Sequence, residues 1–314
     1  MKRVLLCLLA LVLLLGCRGQ TAHSAAGFAC DTVVTITAYA PQDVIDGTLT
    51  VCAEYERLLS KTIEGSDIWN LNHAGGEPVE VYPETAALLR LAAEIGENSE
   101  GAFDVTIAPL SAMWDFTADD PTVPDAGALL TAAARVDYRN IRIEGNTVTL
   151  LNGAEIDLGG IAKGYIADRV AEYLREKGVV DACINMGGNV VTIGTKPDGS
   201  MWTVGIRDPN GTPDQSEEVL KLGSAAVVTS GTYERFFELA GVRYHHILDP
   251  KTGMPIENGL ASVTIIGTRS DLCDALSTAC FVLGEQGSKA ILERYGVRAI
   301  FLYTDGTRSV FPEE

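Results

Sequence analysis

Short β-branched runs that come in adjacent pairs around tight glycine turns restrict this chain's fold more than any other feature. Ile141 to Leu150 alternates apolar and polar residues on either side of Gly145-Asn146, and Ala182 to Met186 and Val190 to Ile193 flank Gly187-Gly188-Asn189. A Gly–Asn or Gly–Gly pair between two such runs signals a hairpin, because these residues tolerate the positive φ that a short turn needs. Further strands are expected at Thr32–Tyr39, Thr203–Ile206, Ala225–Val228, Tyr244–Leu248, Ser262–Ile266 and Ala299–Tyr303. Helical spacing links Ile45, Leu49, Cys52, Tyr55 and Leu59, and again Leu88, Leu91, Ala92 and Ile95 behind Pro83. A short helix is expected after Asp125, and longer ones over Ile161–Lys177 and Asp271–Leu283. Strands pair with each other as often as they alternate with helices. That predicts an α+β fold of mixed, largely antiparallel sheets flanked by helices, over a single body at 29–314, and disfavours a doubly wound parallel sheet.

The chain has 314 residues, 46% hydrophobic and 21% charged, which is enough apolar material for a core and excludes a disordered or multi-pass membrane class. Its net charge of −18 repels phosphate backbones, so no nucleic-acid partner is expected. Membrane attachment by a basic patch is equally disfavoured. The N-terminus suggests another route. Lys2 and Arg3 precede the apolar run Val4–Leu15, the layout of a signal peptide too short to span a bilayer comfortably. The run closes in Leu14-Leu15-Gly16-Cys17, which resembles a bacterial lipobox. The alternative is an ordinary signal peptide with a chance cysteine. The lipobox implies a signal peptide at 1–16, lipidation of Cys17, a small polar tether at 17–28, and a protein lipid-anchored on the extracytoplasmic face of the cell membrane. Five other cysteines would remain (Cys30, Cys52, Cys183, Cys273, Cys280), with no CxxC pair to signal a disulfide framework or zinc site.

Protease, esterase and P-loop motifs are missing, and only four histidines are available. Five clusters stand out instead. Gly101-Ala102-Phe103-Asp104 could contact a ring and a ribose, or be a turn beside a core Phe. In Asp157-Leu158-Gly159-Gly160-Ile161-Ala162-Lys163-Gly164 a strand ends, two glycines follow and a helix starts. Such a corner lets backbone approach a ligand closely, and a helix N-terminus favours anions. Lys163 in the first turn opposes the helix dipole, which hints at an anionic partner, although an exposed lysine on a plain corner fits equally well. Asn185-Met186-Gly187-Gly188-Asn189 reads first as hairpin chemistry. Ser230-Gly231-Thr232-Tyr233 precedes His245-His246-Ile247-Leu248-Asp249-Pro250-Lys251-Thr252-Gly253, a loop in which a histidine could accept a proton or simply cap the turn. Asp274 and Thr278 are i and i+4 on an otherwise apolar helix, hard-oxygen donors suited to Mg²⁺ or merely a solvated face, with Asp271 free to cap the helix.

Together these motifs resemble the ApbE family, flavin transferases that move FMN from FAD onto proteins, over about 29–312 and in family order. The resemblance implies Mg²⁺ held by Asp274, Thr278 and a main-chain carbonyl at Gly160. It implies flavin or phosphate contacts from Cys30, Ala102, Phe103, Asp104, Asp157, Lys163, His246 and Ile247, with His246 as base and Asp274 as a second catalytic residue. Two positions depart from the family pattern: Cys30 stands where a Met is common, and Thr62 where a Tyr is common. The implied reaction is Mg²⁺-dependent transfer of FMN from FAD to a threonine hydroxyl through a phosphoester bond, releasing AMP. The implied acceptors are proteins of membrane redox complexes carrying a flavinylation threonine motif. Two alternatives share the same pocket: a Mg²⁺-dependent FAD pyrophosphatase giving FMN and AMP, and a lipoprotein that only binds flavin.

Overall fold

The computed structural model describes residues 21–212 and 215–313. The signal-peptide and Cys17 readings therefore lie outside the described residues. In chain order the elements that matter are β1 (His23–Ala29), β2 (Thr32–Ala38), α1 (Gln42–Leu59), α2 (Asp67–His73), β3 (Val79–Glu80), α3 (Pro83–Asn98), α4 (Ala108–Ser111) and α5 (Ala126–Ala133). They continue through β4 (Ile141–Glu144), β5 (Thr147–Leu150), α6 (Ala162–Glu176), β6 (Ala182–Met186), β7 (Asn189–Ile193), β8 (Trp202–Arg207), β9 (Ser216–Leu222) and β10 (Ala225–Gly231). The last are β11 (Phe236–Leu239), β12 (Val242–His245), β13 (Leu260–Gly267), α7 (Ser270–Tyr295), β14 (Arg298–Tyr303) and β15 (Arg308–Phe311).

Eight strands form one sheet in the order β1-β2-β6-β7-β10-β13-β14-β15, and every neighbouring pair is antiparallel. The α+β expectation holds. Alternation along the strands sends Val34, Ile36, Ile184, Val228, Val263 and Phe301 to one face. There α1, α6 and α7 cover them with Ile45, Ile166, Val170, Leu276 and Phe281. On the other face the β8–β9 hairpin lays Val204, Ile206 and Leu220 over Val227, Ile300 and Leu302. A three-stranded sheet, β3-β5-β4, sits beside α3.

The hairpin at Ile141–Leu150 and the one around Gly187-Gly188 form as expected, with φ of 58° and 93° at those two glycines. Three expectations change. The tether of 17–28 is strand β1 from His23 onward, paired along its whole length with β2. Its Ala, Ser and Gly residues carry no strand signal of their own; the neighbouring β2 and the Leu49 side chain against Gly27 fix them. The strand expected at Tyr244–Leu248 ends at His245, because the following turn diverts the chain. The helix expected to stop at Leu283 breaks at Gly284 (φ 69°, ψ 171°) and then resumes to Tyr295.

Candidate functional site

The site begins where α6 crosses α7. Gly164 in the first turn of α6 has no room for a side chain: an added Cβ would overlap the Ser270 carbonyl and lie 2.7 Å from Asp274 Cβ. That absence brings the Gly164 N–H within 2.8 Å of Asp274 Oδ2 in a buried hydrogen bond. Asp274 Oδ1 lies 4.0 Å from Lys163 Nζ. One helical turn on, Thr278 stands over Gly160, where a Cβ would meet its Oγ1 at 3.5 Å and the Phe103 ring at 3.1 Å. Ser230 Oγ reaches both Ser277 Oγ (2.7 Å) and Thr278 Oγ1 (3.3 Å). Gly160, in the turn before α6, thus lies beside Thr278 of α7, one turn from Asp274, with Ser230 as a neighbour the sequence had grouped elsewhere.

Asp157 sets the corner itself. Its segment is held on one side by a reciprocal pair between Asn72 and the Ile156 backbone (2.9 and 2.7 Å). The Asp157 N–H donates to the Val105 carbonyl at 2.8 Å. Asp157 Oδ1 accepts from Gly159 N–H at 2.9 Å, while Oδ2 accepts from Lys61 Nζ at 2.6 Å and Ser111 Oγ at 2.8 Å. Burial alone would raise this carboxyl, but the Lys61 charge and these hydrogen bonds more than offset it and hold it below the usual range. Lys61 and Ser111 escaped the sequence reading. Neither sits in a motif, and both are brought in only by the way α1 and α4 end beside the corner.

Asp104 does not face the corner's open side. Its Oδ1 accepts from the Thr106 N–H and hydroxyl, its Oδ2 from the Tyr138 N–H, and burial raises its carboxyl. It is an internal turn anchor, and the Phe103 beside it supplies the ring next to Gly160. Ala102 is buried beside them.

The two histidines divide their work. His245 is buried; its Nε2 lies 3.0 Å from the Ile256 carbonyl and its Nδ1 accepts from Ile247 N–H at 3.3 Å. Since a carbonyl only accepts, that pattern fixes the Nε2–H tautomer and leaves His245 no free lone pair. The Ile247 side chain belongs to the main core and its carbonyl accepts from Ile256 N–H, so this residue meets the fold on every side rather than a ligand. His246 points the other way. Its Nδ1 lies 3.3 Å from the Arg235 carbonyl, which makes Nδ1 the donor and leaves Nε2 as an open acceptor. Burial, Lys163 and Arg235 push its pKa down to about 3, so the ring is neutral near pH 7. Lys163 acts on both His246 and Asp274: its charge lowers the pKa of the first and its ammonium approaches the second.

The loop after His246 is structural. Asp249 accepts from Lys251 N–H (2.9 Å), and the Gly253 carbonyl accepts from Trp114 Nε1 (2.9 Å). Trp114, Phe116, Phe237 and Tyr244 stack in one cluster that ties this loop to the β11–β12 hairpin. At the opposite rim, Cys30 and Asp31 make the β1–β2 turn with φ of 52° and 56°. Cys30 N–H donates to Glu56 Oε1 (2.8 Å), and burial with the Glu56 charge pushes its thiol up to about 12, leaving it unreactive. Asp31 Oδ2 lies 3.8 Å from Arg235, linking that turn to the His246 segment. Thr62 is exposed, its hydroxyl 3.0 Å from that of Ser60. Asn185 Oδ1 accepts from Gly188 N–H, the hairpin role expected of it. Asp271 is the second residue of α7 rather than its N-cap, but its Oδ1 accepts from the Leu272 N–H at 2.6 Å. It pairs with Arg269 (2.7 Å), and its own N–H is received by Asp168 of α6, whose carboxyl burial raises to about 6.

A family model described as the ApbE family matches residues 30–301. The chain belongs to the ApbE family. The FAD:protein FMN transferase of Treponema pallidum is 39% identical over 279 residues, covering 83% of this chain and 77% of that relative. The FAD:protein FMN transferase of Klebsiella pneumoniae is 40% identical over 253 residues, covering 79% and 78%. Among solved structures, the ApbE protein of Thermotoga maritima superposes with a TM-score of 0.85 at 35% identity, covering 92% of this chain and 96% of its own. The flavin transferase ApbE of Vibrio cholerae does so with 0.83 at 28%, covering 94% and 97%. The ApbE motifs read from the sequence therefore sit on an ApbE fold, and three of them, through Phe103, Gly160, Gly164, Asp274 and Thr278, meet at the α6–α7 crossing.

Proposed function

We propose that this chain is an FAD:protein FMN transferase that moves FMN from FAD to a threonine hydroxyl of an acceptor protein and releases AMP. What supports the reading is the meeting of Gly160, Asp274 and Thr278, with Lys163 4.0 Å from Asp274 and its charge acting on a neutral His246. Their donor chemistry also fits a magnesium ion. One carboxylate, one hydroxyl and a main-chain carbonyl are all hard oxygens, and Mg²⁺ is usually bound by one or two carboxylates together with substrate phosphates and water. Asp274, Thr278 and the Gly160 carbonyl would hold the ion, which when bound supplies positive charge against the diphosphate oxygens.

The chain's own residues do the rest. The acceptor hydroxyl gives its proton to His246 Nε2 as its oxygen forms a bond to the FMN-side phosphorus. The bridging P–O bond breaks and AMP leaves with the electron pair. A base held near pKa 3 is weak, but a bound diphosphate adds negative charge beside the ring and raises its proton affinity. Lys163, at the helix N-terminus, binds and orients the phosphates. The family resemblance extends the reading to acceptors in membrane redox complexes. The lipobox extends it to a body held at the extracytoplasmic face through Cys17, for which labelled-palmitate incorporation lost in Cys17→Ser is the direct assay.

The deciding experiment incubates the protein with FAD, Mg²⁺ and an acceptor carrying the threonine motif. A fluorescent acceptor band in a denaturing gel, with AMP released and both lost in Asp274→Ala, is expected. Free FMN with no labelled acceptor would replace transfer by hydrolysis, and FAD bound without AMP release would replace both by storage.

A further inference from the structure

The strongest feature outside the motifs is the cation under Asp157. Lys61 is the second residue after α1, and its ammonium lies 2.6 Å from Asp157 Oδ2 and 3.0 Å from Ser111 Oγ. The other oxygen of that carboxylate receives the Gly159 N–H, and the next residue, Gly160, packs against Thr278 and Phe103. One chain of contacts therefore runs from Lys61 through Asp157 and Gly159 to the corner that faces Asp274 and Thr278.

The chemistry of the proposed substrate makes this pairing consequential. An unpaired carboxylate beside a diphosphate would repel it and would compete for the divalent cation. Paired with Lys61, Asp157 presents little net charge and keeps its second oxygen for the Gly159 N–H, which orients the corner. We propose that Lys61 is a positioning residue: by neutralising and orienting Asp157 it sets the Gly159–Gly160 corner for binding the FAD diphosphate and its Mg²⁺. The proposal rests on the transferase reading above. It assigns Lys61 no contact with the reacting atoms, so its loss weakens binding much more than it slows the chemical step.

The test titrates FAD, with and without Mg²⁺, against wild type, Lys61→Met, Lys61→Arg and Ser111→Ala by flavin fluorescence, and measures KM and kcat for transfer on the same proteins. A charge-assisted hydrogen bond from a lysine about a third exposed corresponds to roughly a tenfold loss of FAD affinity in Lys61→Met. A matching rise in KM is expected, with kcat within about threefold. Lys61→Arg restores most of the affinity, and Ser111→Ala moves it in the same direction by less. If Lys61→Met fails to fold, Ser111→Ala and Lys61→Arg carry the comparison. A Lys61→Met protein that binds FAD and Mg²⁺ like wild type, or one that loses kcat with KM unchanged, overturns the proposal. Failure of wild type to bind FAD at all would instead defeat the transferase reading, so the two outcomes are distinguishable.

Discussion

The two halves of the site are built on opposite principles. The phosphate half, at the α6–α7 crossing, is made by omission: Gly160 and Gly164 lack side chains, so the start of α6 approaches α7 until backbone meets Asp274 and Thr278. The base half is made by addition: His246 follows a small two-stranded hairpin, and Trp114, Phe116, Phe237 and Tyr244 stack to hold that hairpin and its loop. Main-sheet packing leaves the first half no freedom. The second half depends on a satellite cluster, separate from the main core and built from two short helices, the hairpin and the loops beside them. The difference suggests that binding and chemistry can be damaged separately, since each rests on its own packing.

Substitution at the crossing tests this most severely. Gly164→Ala puts a methyl group into the Ser270 carbonyl, which is helix backbone and cannot step aside. We expect a stability loss of about 3 kcal/mol by urea unfolding, at the upper end of ordinary overpacking, together with loss of FAD binding. A variant of wild-type stability that still binds FAD would show the crossing to be looser than its contacts imply. In the other half, His246→Asn should bind FAD normally and lose 10²–10⁴-fold in kcat, the range for a removed general base. The same variant carries a stability signature. His246 is depressed in the folded state, so the unfolded chain takes up the proton first as pH falls from about 6.5 toward 3, and folding weakens across that window. His246→Asn should flatten the slope there, and an unchanged slope would mean the ring is not held neutral. The mildest change, Trp114→Leu, removes the ring stack and the donor to Gly253. It should cost about 2–3 kcal/mol and lower kcat several-fold with FAD affinity unchanged. If affinity fell as well, the halves would be coupled.

Legibility followed the range of the forces involved. Hairpins with Gly–Asn or Gly–Gly turns and helices with an apolar stripe were readable because turn φ values and the 3.6-residue period are local. β1 was not readable, because Ala, Ser and Gly form a strand there only beside β2 and α1. α2 was missed because seven residues hold too little of a period, although its Ser66 cap, accepting from Trp69 N–H, was a usable signal. The Asp274–Thr278 spacing placed two donors on one helix face without help. Asp104 and Ile247 look the same in a motif whether they meet a ligand or the fold, and here their polar groups are taken by Thr106 and Tyr138 in one case and by His245 and Ile256 in the other.

The sequence by itself determined an antiparallel α+β body, the family, and the residues Gly160, Lys163, His246, Asp274 and Thr278 as candidates, since turn chemistry, periodicity and motif order are written along one chain. Tertiary structure alone decided which of two adjacent histidines keeps a free nitrogen, that Asp157 is neutralised by Lys61, and that Asp168 joins Asp271 in receiving the N–H groups of the first turn of α7. Those choices turn on hydrogen bonds and charges between residues from 11 to 103 apart in the chain, and their approach in space is set by packing rather than by spacing in the chain.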